Sequence, residues 1–413
     1  MESIRPLLLT FADTDGAGTA TRRIHNGLRE IGLNSEMLVR RKLTDDHTIH
    51  GPNNLFSKAV AKLRPYLDSL PLLMYGTPPE FSISWQPDRL HRRVAKLDPD
   101  VVHLNWVGNG FMSPESIRKF DRPIVWRLPD MWPLTGGCHY AKGCTGYQSH
   151  CGNCPQLESS RSWDPSRITL DRKERAVNAA DVTVVATTSW LAESARESTI
   201  FQDCRVETIP NGLNTDVFKP FEASIGREMF GLPKDVPLVL FGSVGPLSNP
   251  RKGYDLLEKA LNRFAEMEDI APNLVIFGTK EPENPPSLGF PTHYTGYLHD
   301  EESLALLYAA ADVMVVPSRY EGFGQTVTEA LSCGTPVVAF DSTGPKDIIK
   351  HKETGYLASA YEPADLAAGI RWILEDTKRR TRLGQNARRA AVDEYHYTTI
   401  AEQYLTLFKQ VVG

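Results

Sequence analysis

The sequence predicts an α/β protein of two facing, Rossmann-like, doubly wound domains with a C-terminal helix crossing back. Three observations carry this expectation. At 413 residues the chain is too long for one ordinary core. Short runs rich in Val, Ile and Leu alternate with turns and helical patterns along both halves, as strands of parallel sheets do when helices cover both faces. Midway, Ile209-Pro210-Asn211-Gly212 breaks the alternation with residues that make a turn and not an element interior.

In the first half the strand-like runs are residues 7–11, 37–40, 101–105, 124–128 and 182–186. In the second they are 238–241, 274–277, 293–295, 313–316 and 337–340, with helical patterns at 254–264, 301–310 and 326–332. The expected domains are 1–212, with a cysteine-rich insertion at 136–157, then 213–395, then a last helix at 396–413 packing back toward the first domain. Two such sheets facing one another place the C-terminal strand edges of both around one cleft, where ligands of doubly wound sheets bind.

Composition sets the class. The chain is 41% hydrophobic and 23% charged, as globular proteins are. Its net charge of −5 lacks the basic footprint of a nucleic-acid binder. No apolar run reaches transmembrane length, and the first one is too short for a secretory signal. The expected location is cytoplasmic, at the inner face of the membrane. The basic and apolar stretch 55–74 could give peripheral contact with that membrane, or could be a helix packed on the domain with its lysines solvated.

The second half holds the more informative chemistry. Glu321-Gly322-Phe323-Gly324-Gln325-Thr326-Val327-Thr328-Glu329 follows a buried strand and opens a helix. Its glycines let backbone approach a ligand, and a helix N-terminus attracts an anion. Glu321 and Glu329 flank that position and would accept hydrogen bonds from sugar hydroxyls. A plainer reading is that Thr326 and Glu329 form a capping box. Upstream, Arg251-Lys252-Gly253 supplies two cations between a strand and a helix, enough to face a diphosphate.

In the first half Asp13-Thr14-Asp15-Gly16-Ala17-Gly18 is a glycine-rich loop after the first strand, suited to close approach of phosphate or sugar through Gly16 and Gly18. It lacks the third glycine of a dinucleotide fingerprint. Asp13 and Asp15 also spell the Asp-x-Asp of metal-dependent sugar transferases, although Asp15 suits the turn better. Asp130 is the first candidate for an acceptor-side base or hydroxyl ligand, with His103 and His139 behind it. Cys138, Cys144, Cys151 and Cys154 could give four thiolates to a structural zinc, or two disulfides, in either case stapling the insertion.

Arg251-Lys252-Gly253, Gly296-Tyr297, Glu321 with seven residues to Glu329, and Gly334-Thr-Pro-Val-Val together resemble the donor domain of family 4 retaining glycosyltransferases. The interdomain turn Ile209-Pro-Asn-Gly resembles the same family. Trp126-Arg-Leu-Pro129-Asp130-Met-Trp-Pro133 resembles its subgroup that builds colanic acid, exopolysaccharide and O-antigen repeats. The resemblance implies the GT-B arrangement and a reaction. A hexose passes, with retention and without a catalytic metal, from a UDP- or GDP-sugar to a saccharide or lipid-linked acceptor hydroxyl.

It also implies roles. Arg251 and Lys252 hold the diphosphate, Glu321 binds donor-sugar hydroxyls and Glu329 the ribose. The backbone of Gly322 through Val327, with Phe323, Gly324 and Thr326, touches phosphate and sugar, and Tyr297 lines the base pocket. Where many relatives carry a further Arg this chain has Pro246, and where many carry a His it has Pro129. Rival readings on the same architecture are a nucleotide-sugar epimerase or a sugar phosphorylase. A rival of another class is a non-catalytic, zinc-stapled binding protein.

Overall fold

The computed structural model describes residues 4–76, 80–267 and 270–413. The chain divides into two compact units, Met1–Gly212 with Tyr397–Gly413, and Leu213–His396.

The first unit is built on strands β1 (Pro6–Ala12), β2 (Glu36–Arg41), β3 (Ile49–His50), β4 (Val101–Leu104), β5 (Ile124–Leu128), β6 (Val182–Ala186) and β7 (Arg205–Thr208). They form one sheet in the order β3-β2-β1-β4-β5-β6-β7, every neighbouring pair parallel. β4 and β5 are buried along their whole length, which is why their sequences lack the alternation of a half-exposed strand. The helix Gly16–Glu30 packs against the C-terminal helix Tyr397–Val412. Gly27 makes that contact close, since a Cβ there would lie 2.5 Å from the Tyr397 carbonyl oxygen. Ile24, Leu28, Tyr404 and Phe408 meet β1 and β2 in the core below.

The second unit carries β8 (Leu238–Gly242), β9 (Asn273–Phe277), β10 (Thr292–Gly296), β11 (Val313–Val316), β12 (Val337–Phe340) and β13 (Gly355–Ala358). Its parallel sheet runs β10-β9-β8-β11-β12-β13. The strand order reverses between β1 and β4 in one unit and between β8 and β11 in the other. At such switch points the loops leave the carboxyl ends of adjacent strands in opposite directions and open a crevice.

Candidate functional site

The loops after β8 and β11 meet at the switch point of the second unit. After β8 the chain makes a short 3-10 turn, Pro250–Lys252, capped by Asn249, whose side chain accepts from the Arg251 amide at 3.0 Å. Gly253 then adopts φ 69° before the helix Tyr254–Ala265 begins. The left-handed backbone and the closeness of the other loop both require glycine here. A Cβ would sit 1.9 Å from the Pro317 carbonyl oxygen. The Arg319 amide donates to the Arg251 carbonyl at 2.8 Å, so the loops are bound to each other through backbone.

That junction brings Arg251, Lys252 and Glu321 together. Lys252 Nζ donates to Glu321 Oε1 at 2.6 Å and Arg251 Nη1 to Oε2 at 3.2 Å. Ser318 Oγ adds a third bond at 3.0 Å. Burial pushes the Glu321 carboxyl upward, but the charges of Lys252 and Arg251 and the bonds from Lys252 and Ser318 outweigh it and hold it at about 2. The group is a charge cluster of two cations and one anion, small, mostly enclosed and preorganised. Arg251 Nη1 also donates to the Tyr320 carbonyl at 3.0 Å; a guanidinium and an ammonium side by side are the groups that make charge-assisted hydrogen bonds to phosphate.

Beyond Glu321, Gly322 is buried and Gly324 takes φ 107° at the start of the helix Gln325–Ser332. Phe323 and Val327 are core residues, Phe323 edge-on to Tyr395, so they offer a ligand backbone and not side chain. Thr326 is half-buried. The capping box expected from Thr326 and Glu329 does not form. Helix geometry begins at Gln325 with Gly324 as N-cap, which puts Glu329 two residues too deep for the box. Glu329 is instead buried and accepts a hydrogen bond from Tyr308 Oη at 3.0 Å. Tyr297 stands half-exposed just beyond β10. Gln carries the same acceptor oxygen as Glu toward Tyr308. Glu329→Gln is therefore expected to leave the urea midpoint nearly unchanged while weakening nucleotide binding about tenfold, the difference between a charged and a neutral acceptor. Unchanged affinity with lowered stability would assign Glu329 to the fold alone.

In the first unit the glycine loop serves the fold. Asp13 is buried, and its carboxylate accepts from the Leu43 and Thr44 amides and from Thr44 Oγ1 at 2.7 Å. Asp15 caps the helix through the Gly18 amide at 2.7 Å. A Cβ on Gly18 would lie 2.2 Å from the Ala12 carbonyl oxygen, so this glycine seats the helix on the end of β1. Gly16 is exposed at the helix start.

Around Asp130 the structure reassigns the candidates. Its Oδ1 accepts from the Trp132 amide at 2.8 Å. Its Oδ2 accepts from Trp106 Nε1 at 3.0 Å and meets His139 Nδ1 at 2.7 Å. Trp106 stacks on the imidazole, whose Nε2 lies 3.2 Å from Ser82 Oγ. Asp130 thus orients His139 and is no unengaged base. Trp106 and Ser82 carry no motif, and sequence reasoning missed both. Trp106 had one usable signal, its place just beyond the end of β4. His103 is a core residue and not an acceptor-side group: it is wholly buried between Tyr404 and Phe408, and burial, with Arg127 nearby, lowers its pKa to about 3.

Cys138, Cys144, Cys151 and Cys154 line one cavity of about 30 Å³. All are free thiols, so the disulfide alternative is not formed. Burial pushes the Cys138 and Cys151 thiols up to about 12. Among the described residues no group of three or more His, Cys, Asp or Glu is placed to hold a metal ion. The zinc cage expected from the spacing is therefore not formed among the described residues, which bring four free thiols around one small cavity.

Two family models match the chain, one for each half. Residues 14–217 match Glycosyltransferase Family 4 and residues 227–390 match Glycosyl transferases group 1. Among curated relatives, a D-inositol 3-phosphate glycosyltransferase 2 of Catenulispora acidiphila is 31% identical over 52% of this chain and 53% of its own length. A D-inositol 3-phosphate glycosyltransferase of Geodermatophilus obscurus is 32% identical over 73% of this chain and 65% of its own. The chain spans about half the length of the first of these. Among solved structures, sucrose-phosphate synthase from Thermosynechococcus elongatus covers 98% of both chains at 22% identity and a TM-score of 0.67. Anabaena Alr3699/HepE, in complex with UDP and glucose, aligns over 98% of this chain and 100% of its own at 17% identity and a TM-score of 0.64.

Proposed function

We infer, because the chain belongs to the glycosyltransferases that join a family 4 domain to a group 1 domain, that it moves a hexose from a UDP- or GDP-sugar to an acceptor hydroxyl. The GT-B fold, two α/β domains with parallel sheets, is the fold found. Relatives named for D-inositol 3-phosphate glycosyl transfer and for mannosyl transfer do not support the colanic acid and O-antigen subgroup.

One observation carries the reading: two cations and a carboxylate closed on one another at the switch point of the second sheet. A diphosphate arriving there takes over part of the charge that Arg251 and Lys252 now give to Glu321. Glu321 is then released to accept bonds from the sugar hydroxyls. The bond between the anomeric carbon and the phosphate oxygen breaks while the acceptor oxygen bonds to that carbon. The acceptor proton passes to the departing phosphate on the same face, which gives retention. The two cations stabilise the charge that grows on the leaving diphosphate. We place the acceptor, a saccharide or lipid-linked hydroxyl, on the side of Trp106, Asp130 and His139. With this division of labour the diphosphate charge is met by side chains, and no divalent ion is required.

The test is proton NMR of the anomeric signals during turnover of UDP-glucose and GDP-mannose in the presence of EDTA. An α-linked donor should give an α-linked product at an undiminished rate. A β-linked product would overturn retention, and a rate restored only by magnesium or manganese would overturn metal independence.

A further inference from the structure

The helix Leu55–Ser69 and the 3-10 turn Leu70–Tyr75 that follows it are inside out for a water-facing element. The helix buries only one side chain, the charged Asp68, and the turn buries Leu72. Its attachment to the first unit is polar. Arg64 donates to the carbonyls of Gly110, Pro87 and Gln86 at 2.7, 2.8 and 3.2 Å. Arg40 Nε donates to the Ala61 carbonyl at 2.7 Å, and Gln86 to that of Arg64 at 2.7 Å. Trp85 Nε1 donates to the Leu67 carbonyl at 2.9 Å and is itself part-exposed.

The apolar side chains point away from these tethers. Leu55 is 87% exposed, Phe56 80% and Met74 80%, and Leu63, Tyr66 and Leu73 are exposed with them. Amphipathic helices that pack on a core bury such residues, and contiguous apolar patches of this kind mark interaction surfaces. The exposed charges of the segment itself are of one sign. Lys58 and Lys62 stand exposed one helical turn apart, and the only carboxylate between residues 55 and 76 is the buried Asp68.

We propose that this surface docks the protein on an anionic lipid bilayer, with Phe56, Leu63, Leu73 and Met74 entering the headgroup boundary and Lys58 and Lys62 facing lipid phosphates. Aromatic and aliphatic side chains flanked by lysines, with no exposed acid within the segment itself, fit that medium; the exposed Glu158 beside Met74 shares its cavity with Arg161. The hydrogen bonds of Arg64, Arg40 and Gln86 fix the helix from behind, so the apolar face is presented without ordering a new segment. This inference stands apart from the transfer chemistry, which lies in other residues.

Co-sedimentation with vesicles tests it. Wild-type protein should pellet with mixed phosphatidylglycerol–phosphatidylcholine vesicles and much less with pure phosphatidylcholine. Lys58→Glu with Lys62→Glu should weaken binding about 25-fold or more, on the order of fivefold for each lysine. Phe56→Ser with Met74→Ser should weaken binding to both kinds of vesicle. All four side chains are exposed, so the circular dichroism and the stabilisation by nucleotide should match wild type in both variants. Wild-type protein that stays in the supernatant with both vesicles would overturn the proposal. So would a concentration-dependent dimer, seen in sedimentation velocity, that Phe56→Ser abolishes, since the surface would then belong to a second copy.

Discussion

Replacing Lys252 with alanine is expected to lower turnover about a hundredfold or more, the scale of removing one preorganised donor from a developing negative charge. The ammonium is 2.6 Å from Glu321, whose carboxylate holds it at the junction of the two loops. Stability should change much less than rate, because Glu321 keeps Arg251 at 3.2 Å and Ser318 at 3.0 Å as partners. Steady-state rates alongside urea unfolding separate the two effects. Wild-type turnover in Lys252→Ala would remove this residue from the mechanism.

The next residue gives the largest expected effect on the fold. Gly253→Ala would force an alanine into φ 69° and drive its Cβ against the Pro317 carbonyl oxygen. Left-handed backbone costs about 1–2 kcal/mol for a residue with a side chain, and overpacking costs about 1–3 kcal/mol more. The urea midpoint should fall accordingly. Because relief of the clash spreads the loops that carry Lys252 and Glu321, nucleotide affinity should fall too. A variant as stable as wild type would show that the two loops are not held against each other as described.

These two residues illustrate what could be read from sequence and what could not. The motif Arg251-Lys252-Gly253 and the spacing of Glu321 and Glu329 were visible, as were the strands β5, β6, β11 and β12, whose runs of Val, Ile and Leu have no other reading. β3 was missed because two residues carry no period. β7 was missed because its sequence, Arg-Val-Glu-Thr, is that of a partly exposed edge. The closure of Lys252 on Glu321 spans 69 positions and has no local signal at all. His103 shows the opposite failure. A histidine within an apolar strand looks chemically promising, yet its neighbours across the sheet and on the C-terminal helix leave it no route to solvent. The capping-box reading put the helix cap at Thr326, two residues past Gly324, which is the cap. The four cysteines were legible as a cluster, but spacing alone did not predict that they sit as free thiols around a small cavity.

The central claim is that the cations and carboxylate at the β8–β11 switch point receive a nucleoside diphosphate. Calorimetric titration with UDP and with GDP measures this directly. At least one of the two should bind wild-type protein, and that affinity should drop about tenfold or more in Lys252→Ala, the loss of one charge-assisted hydrogen bond. Absence of binding by both nucleotides, or equal affinity in wild type and Lys252→Ala, would contradict the account.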